Sequence, residues 1–293
     1  MIPDATFRLR QWTRPARTTD TGVTVEFRIL GPLDVRGDDG RPQRVDRRKP
    51  KVLLAILLLR QECRVPVETL VDALWGEVPP ASARANLKSY VTAVRASLHG
   101  PARLVAERGG YRLLTDGTLV DASAFERLSA AGRRALRAGD PSAAWRLSGA
   151  LALWRGRVLE DLPVPEMVLP EVARLEELRL AVLEDSITAR LTQPADLPAE
   201  LEALVHRHPL RERLWESLML ALCRTGRPAE ALLAYERAAA VFAAEAGVAP
   251  GGGLRALRHR IITANPGTHR CVPECVPSAV RVAGKNPVTR GRS

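Results

Sequence analysis

From position 25 the apolar residues alternate. Val25, Phe27 and Ile29 share one face, Gly31-Pro32 interrupts, and Leu33 and Val35 resume before the turn-forming run Gly37-Asp38-Asp39-Gly40, which predicts short antiparallel strands. The period then changes. Pro50 falls in the first turn of an apolar segment running to about Arg60, where its missing N–H costs nothing and its fixed φ suits a helix. A second helix is expected from about Val67 to Trp75, stopped by Gly76 and the Pro79-Pro80 pair. A third is expected from Ser82, a good N-cap residue, to about Leu98, ended by Gly100-Pro101. Leu104, Val105, Tyr111, Leu113 and Leu114 flank Gly109-Gly110, which is hairpin chemistry. Strands, three helices and a hairpin, in that order, read as a winged helix-turn-helix over residues 25–117.

After Asp121 the pattern is helical throughout and carries internal periodicity. Residues 212–245 fit one tetratricopeptide-like unit, with Trp215, Leu218, Gly226, Ala231, Tyr235 and Ala238 at its large, small and turn positions. The preceding 34 residues fit in register through Leu201, Leu204 and the closing Pro209, and Leu128, Gly132, Gly139 and Ala144 outline an earlier unit. In such a unit small residues let two helices approach while large ones fill the seam, and neighbouring hairpins stack to bury their faces. The expected fold class is therefore mainly α: an α+β winged helix-turn-helix followed by an all-α helical-hairpin domain over residues 119–265. Residues 1–24 lack any period and read as a flexible extension. Residues 266–293, rich in Pro, Gly and basic side chains, read as a disordered tail.

Composition narrows the class. With 46% hydrophobic and 26% charged residues the chain is globular in type. Its longest apolar run, residues 52–59, is too short to cross a bilayer, and the N-terminus has no apolar signal core, so a cytoplasmic, nucleoid-associated protein without membrane contact is expected. Four cysteines, with Cys63 and Cys223 isolated in helical patterns, are no disulfide framework. The net charge of +11 is unevenly placed: residues 25–118 carry sixteen Lys and Arg against eleven Asp and Glu, whereas residues 119–265 carry nineteen of each. A basic N-terminal region on a neutral body points to a polyanionic partner.

The third predicted helix concentrates that signal. Between Glu77 and Glu107 there is no carboxylate. Leu87, Val91, Val94 and Leu98 form the inward stripe, which turns Arg84, Lys88, Ser89, Thr92 and Arg95 outward; Asn86 and Tyr90 complete the candidate set on this helix. Such a face presents cations for phosphates and short hydrogen-bonding groups for base edges. Arg47, Arg48, Lys49 and Lys51 surround the start of the first helix, where cations oppose the helix dipole unless a phosphate docks on the free N–H groups. Arg108 and Gly110 mark the tip of the hairpin, where a wing needs a tight turn and a basic side chain; Tyr111 beside them reads as a core aromatic. Other clusters carry less. His269, Cys271, Glu274 and Cys275 lack a second ligand pair for zinc, His206 and His208 suit a helix C-terminus, and Gly251-Gly252-Gly253 lacks the Lys-Ser/Thr of a nucleotide loop. No catalytic constellation and no cofactor site emerges, so no enzyme is expected.

The stretches FRILGPLDVRGDDGRP, ALWGEVPPASARANLKSYVTAVRASL, ERGGYRL, FERLSAAGRRALRAGD, ALALWRG, ARLEELRLAVLED and HPLRERLWESLMLALCRTGRPAEALLAYERA occur in order between about Val25 and Pro266. Together they closely resemble the Streptomyces antibiotic regulatory protein family, in a short, stand-alone form. The resemblance implies a winged helix of the response-regulator output type and a bacterial transcriptional activation domain. It also implies that the helix from Ser82 to Leu98 enters the major groove of direct repeats near the promoter −35 region. Two protomers would bind side by side on double-stranded promoter DNA and engage RNA polymerase holoenzyme at a secondary-metabolite gene cluster. Departures are local: Lys88 stands where glutamine is common, TQPADLP replaces a more regular helical turn, and Gly251-Gly252-Gly253 replaces a Pro-Gly-Pro-Glu-like turn. The alternative from another class is a helical-repeat scaffold for a protein partner, which binds no DNA sequence-specifically.

Overall fold

The computed structural model describes residues 26–37, 41–43, 45, 47–98 and 102–264. The expected N-terminal extension, the tail with its His269/Cys271/Glu274/Cys275 set, and Asp38 to Gly40 lie outside the described residues. By packing, the chain divides into two units, one of residues 1–134 and 145–183, the other of residues 135–144 and 184–293.

In the first unit β1 (Glu26–Arg28) pairs antiparallel with β2 (Asp34–Arg36), as the alternation predicts. A third strand was not foreseen. Residues Leu119 and Val120 form β6, parallel to β1, and two residues are too few to show a period. A second sheet has the order β3-β5-β4, from β3 (Val65–Pro66), β4 (Arg103–Glu107) and β5 (Gly110–Leu114), with the last two forming the predicted hairpin. The helices of this unit's N-terminal part are α1 (Arg48–Leu59), before β3, and α2 (Val67–Trp75) and α3 (Ala83–Ser97), after it, all within two residues of the expected bounds. Helix α1 is buried along its whole run from Val52 to Leu58, because it is apolar all round and the other elements enclose it. On α3, Leu87, Val91 and Val94 are buried as the 3.6 period requires. Ser82 does stand at the N-cap position but makes no cap bond: its ψ of 2° is not extended, and its Oγ accepts from Asn86 Nδ2 at 3.1 Å.

The same unit continues into most of α4 (Asp121–Arg137) and of α5 (Ala143–Leu151), a single 3-10 turn at Glu166–Val168 and most of α6 (Leu169–Arg190). Residues 29–33, just after β1, are gripped by this later part of the chain. Buried Asp121 accepts the N–H groups of Ile29 and Leu30 at 2.8 and 3.0 Å, Arg155 and Leu159 donate their N–H groups to the carbonyls of Leu30 and Ile29, and Asp161 takes the N–H of Leu33. Gly31 has φ +143° there, and a Cβ on it would lie 2.9 Å from the Cβ of Arg155. Phe125 and Trp154 meet edge-on at 5.3 Å, and the Arg179 guanidinium covers Trp154 at 4.5 Å. Two stretches of the family resemblance, FRILGPL and ALALWRG, thus meet in one folded unit.

The second unit holds the rest of α6, then α7 (Leu197–Arg207), α8 (Glu212–Arg224), α9 (Pro228–Ala246) and α10 (Gly252–Thr263). Helices α8 and α9 form the predicted hairpin: Trp215, Leu218, Ala231, Tyr235 and Ala238 are buried and Gly226, at φ +78°, makes the turn. Pro209 closes the preceding repeat by accepting the Trp215 indole N–H at 2.8 Å. At the three-glycine stretch the Gly251 N–H donates to Glu212 of α8 at 2.8 Å, so the start of α10 is held by a carboxylate of its own unit. Among the described residues no helix is long and apolar enough to cross a membrane, and no group of three His, Cys, Asp or Glu is placed to hold a metal.

Candidate nucleic-acid interface

The expected outward residues of α3 are outward. Arg84, Lys88, Ser89, Thr92 and Arg95 are exposed, and no carboxylate lies on the helix itself. The face is nevertheless not free of acid, since Glu68 of α2 meets Arg84 at 2.8 Å. With side chains 73% and 63% exposed, that pair is worth roughly 0–1 kcal/mol, so a phosphate can displace the carboxylate. Arg95 donates its Nε–H to the carbonyl of Leu104 at 2.9 Å, which fixes it toward the second sheet. Ser89 and Thr92 donate their hydroxyls to the carbonyls of Ala85 and Lys88 one turn back, which leaves the oxygens able to accept. Lys88 has no ion pair among the described residues.

Two of the candidates have a different immediate role. Tyr90 is half-buried and stacks on Trp75 of α2 with centroids 5.8 Å apart and planes 16° apart, while Lys49 places its Nζ 4.2 Å from the centroid of the same indole. Lys49, Trp75 and Tyr90 thereby tie α1, α2 and α3 together, and helical spacing within α3 carries no trace of a partner on α2. Arg47 and Arg48 are exposed at the start of α1, Lys51 is half-buried, and neither a side-chain cap nor an acid serves the first turn. Those free N–H groups and the flanking cations form an anion-attracting end.

At the wing, Arg108 is exposed in the β4–β5 turn and Gly109 adopts φ +73°. Gly110 is a correction. It is buried, and a Cβ there would collide with the carbonyl of Val65, so its function is to let β5 approach β3 rather than to face a ligand. Tyr111 is a core residue, as expected. Arg112 is matched by Glu107 at 3.0 Å within the hairpin. The residue missed from sequence is Arg64, 44 positions before Arg108, whose guanidinium donates to the Arg108 carbonyl at 2.8 Å. Only the pairing of Val65 and Pro66 with Tyr111 and Gly110 brings it there, and a two-residue strand gives no periodic signal.

The candidate residues fall on one outward helix face, a cationic helix start and a wing, all within the first unit. Residues 120–262 match the family described as "Bacterial transcriptional activator domain". Regulatory protein DnrI of Streptomyces peucetius is 42% identical over 272 residues, which cover 88% of this chain and 99% of DnrI. The chain belongs to the Streptomyces antibiotic regulatory protein family of transcriptional activators. Regulatory protein AfsR of Streptomyces coelicolor is also 42% identical, over 257 residues, but there the match spans 86% of this chain and only 25% of AfsR. Among solved structures, Mycobacterium tuberculosis EmbR in complex with low affinity phosphopeptide superposes with a TM-score of 0.77 at 35% identity, covering 84% of this chain and 67% of that one. A mainly helical chain with an N-terminal winged helix-turn-helix, acting as a DNA-binding transcriptional activator, is the shared description of this family.

Proposed function

We propose that this activator reads direct repeats near the −35 region of promoters in a secondary-metabolite gene cluster. Two protomers bind side by side on double-stranded DNA and engage RNA polymerase holoenzyme, in the cytoplasm at the nucleoid. Helix α3 lies in the major groove with Lys88 toward base edges, while Arg48 at the α1 start and Arg108 at the wing take phosphates. The observation that carries this reading is the exposed α3 face, whose cations and hydroxyls lack acidic neighbours on their own helix, in a unit that carries two further cationic ends.

The test is an electrophoretic shift with promoter DNA from neighbouring biosynthetic genes against random DNA, at two salt concentrations, with a footprint. A protected pair of direct repeats is expected. Lys88→Ala is expected to narrow the gap between operator and random DNA, a good base-edge contact being worth about 1–3 kcal/mol of discrimination. Arg48→Ala and Arg108→Ala should weaken both DNAs alike. Absence of any sequence-specific shift by the wild-type protein overturns the reading and favours a protein-binding scaffold.

A further inference from the structure

The wing carries a cation that belongs to no assigned element. Arg64 precedes β3, is exposed, and spends one N–H on the carbonyl of Arg108 at 2.8 Å. A carbonyl acceptor fixes the guanidinium without neutralising it. Its other N–H donors have no partner among the described residues, and no carboxylate pairs with it. The contrast with its neighbours is informative, because Arg112 is matched by Glu107 and Arg84 by Glu68. The anchor is also well defined: Val67 donates its N–H to Gly109 at 2.9 Å, and Gly110 packs on Val65 and on the Arg64 stem. The Arg64 guanidinium and the exposed residue Arg108 therefore share one tight turn, and the former is held in place before any ligand arrives.

Resting on the DNA-binding reading above, we infer that Arg64 and Arg108 together form a phosphodiester-binding site at the wing tip, with Arg64 the pre-oriented member. A planar guanidinium with one edge fixed on a carbonyl presents its remaining N–H groups to the oxygens of a phosphate without losing further side-chain freedom. Sequence carries no part of this site's discrimination, since a backbone phosphate is common to all DNA.

The decisive variant is Arg64→Gln, a polar side chain without charge. Binding to operator and to random DNA is measured between 50 and 200 mM salt, with a thermal melt as the check on folding. Loss of one phosphate contact is expected to lower the log–log salt slope by about 0.9, so that the wild type loses about three- to fourfold more affinity than the variant over that range. Arg64→Lys, which keeps the charge, should retain the slope. An unchanged slope in Arg64→Gln overturns the site and leaves Arg64 as a brace for the turn. If Lys88→Ala and Arg108→Ala alter binding in the same assay while Arg64→Gln does not, the inference about Arg64 fails alone. If the wild type gives no sequence-specific shift, the functional reading fails and this inference with it.

Discussion

Arginine is abundant in both units, but it is used differently in each. In the second unit several arginines are matched by carboxylates inside the fold: Arg190 with Glu200 at 2.6 Å, Arg213 with Glu184 and Asp185 at 3.0 and 2.8 Å, Arg237 with Glu202 at 2.7 Å, and Arg258 with Glu236 at 3.2 Å. Around α3 and the wing, by contrast, Lys88, Arg64 and Arg108 meet no carboxylate among the described residues. Net charge per segment runs the same way, neutral over 119–265 and positive over 25–118. Where a carboxylate meets a guanidinium, the pair holds helices in register; the unmatched cations of α3 and the wing are left for a polyanion.

The largest effect that bears on this contrast is expected at Trp215. The residue is buried in α8, its indole N–H is bonded to Pro209, and the Arg237 guanidinium lies 5.7 Å from its ring centroid. Trp215→Ala removes a large side chain from a filled seam, and should cost about 3–5 kcal/mol. Calorimetry should show a low-temperature transition for the repeat hairpins, while the salt slope of DNA binding stays at its wild-type value and transcription in a reconstituted assay falls. A change in that slope means the repeats hold charge that DNA sees, and the contrast is wrong.

A smaller effect, with a pH signature, is expected at Asp121. Burial raises its pKa to about 6 from the usual 3.8, against the opposing pull of the Ile29 and Leu30 N–H groups and of Arg155, 3.8 Å away. A carboxyl group whose folded pKa lies above its unfolded value binds its proton more readily when folded. Its contribution to stability is therefore greatest below about pH 4 and declines as pH rises to 6, by roughly 3 kcal/mol over that interval. Asp121→Asn abolishes this dependence, so the melting temperature of wild type minus variant is expected to shrink as pH rises from 4 to 6. A difference that grows instead shows that the two N–H bonds and Arg155 dominate burial. Asp121→Ala should cost about 1–3 kcal/mol at neutral pH through the unpaired N–H groups. The same bonds bear on dissection of the chain: a fragment ending at residue 117 lacks Asp121, β6 and the 155–161 segment, and loses the acceptors and donors of residues 29–33.

Elements with a sustained period were legible. The helices α1 to α3, the α8–α9 hairpin and the outward face of α3 follow from apolar spacing, glycine and proline placement, and those signals are local. Contacts between distant segments were not. Arg84 looked unopposed because Glu68 lies on another helix, Tyr90 looked available because Trp75 does too, and Arg64 was invisible because β3 is two residues long. The sequence neighbours of Gly110 suggest a wing-tip contact, whereas its burial depends on a strand 45 positions earlier, at Val65. Ser82 shows the limit even locally: the residue type suited a cap, but the backbone turned its oxygen to Asn86 instead.

The smallest effect is expected where the contrast is sharpest, at a matched arginine of the repeats. Arg237 on α9 binds Glu202 on α7 through two N–H···O bonds of 2.9 and 2.7 Å, with side chains 50% and 43% exposed. The pairing raises the Arg237 pKa further, first through the hydrogen bond to Glu202, so the guanidinium stays charged at all relevant pH and titration cannot confuse the result. Exposed pairs are screened by solvent and salt, and removal of one partner typically costs about 0.2–1 kcal/mol. Arg237→Ala should therefore lower the melting temperature slightly, and less at high salt. It should leave both operator affinity and its salt slope unchanged, because the lost positive charge was already matched by Glu202. Arg108→Ala, which removes the same formal charge from an unmatched position, serves as the paired measurement and is expected to lower the slope by about 0.9. Equal slopes in the two variants would mean that matching by carboxylates does not decide which arginines DNA sees.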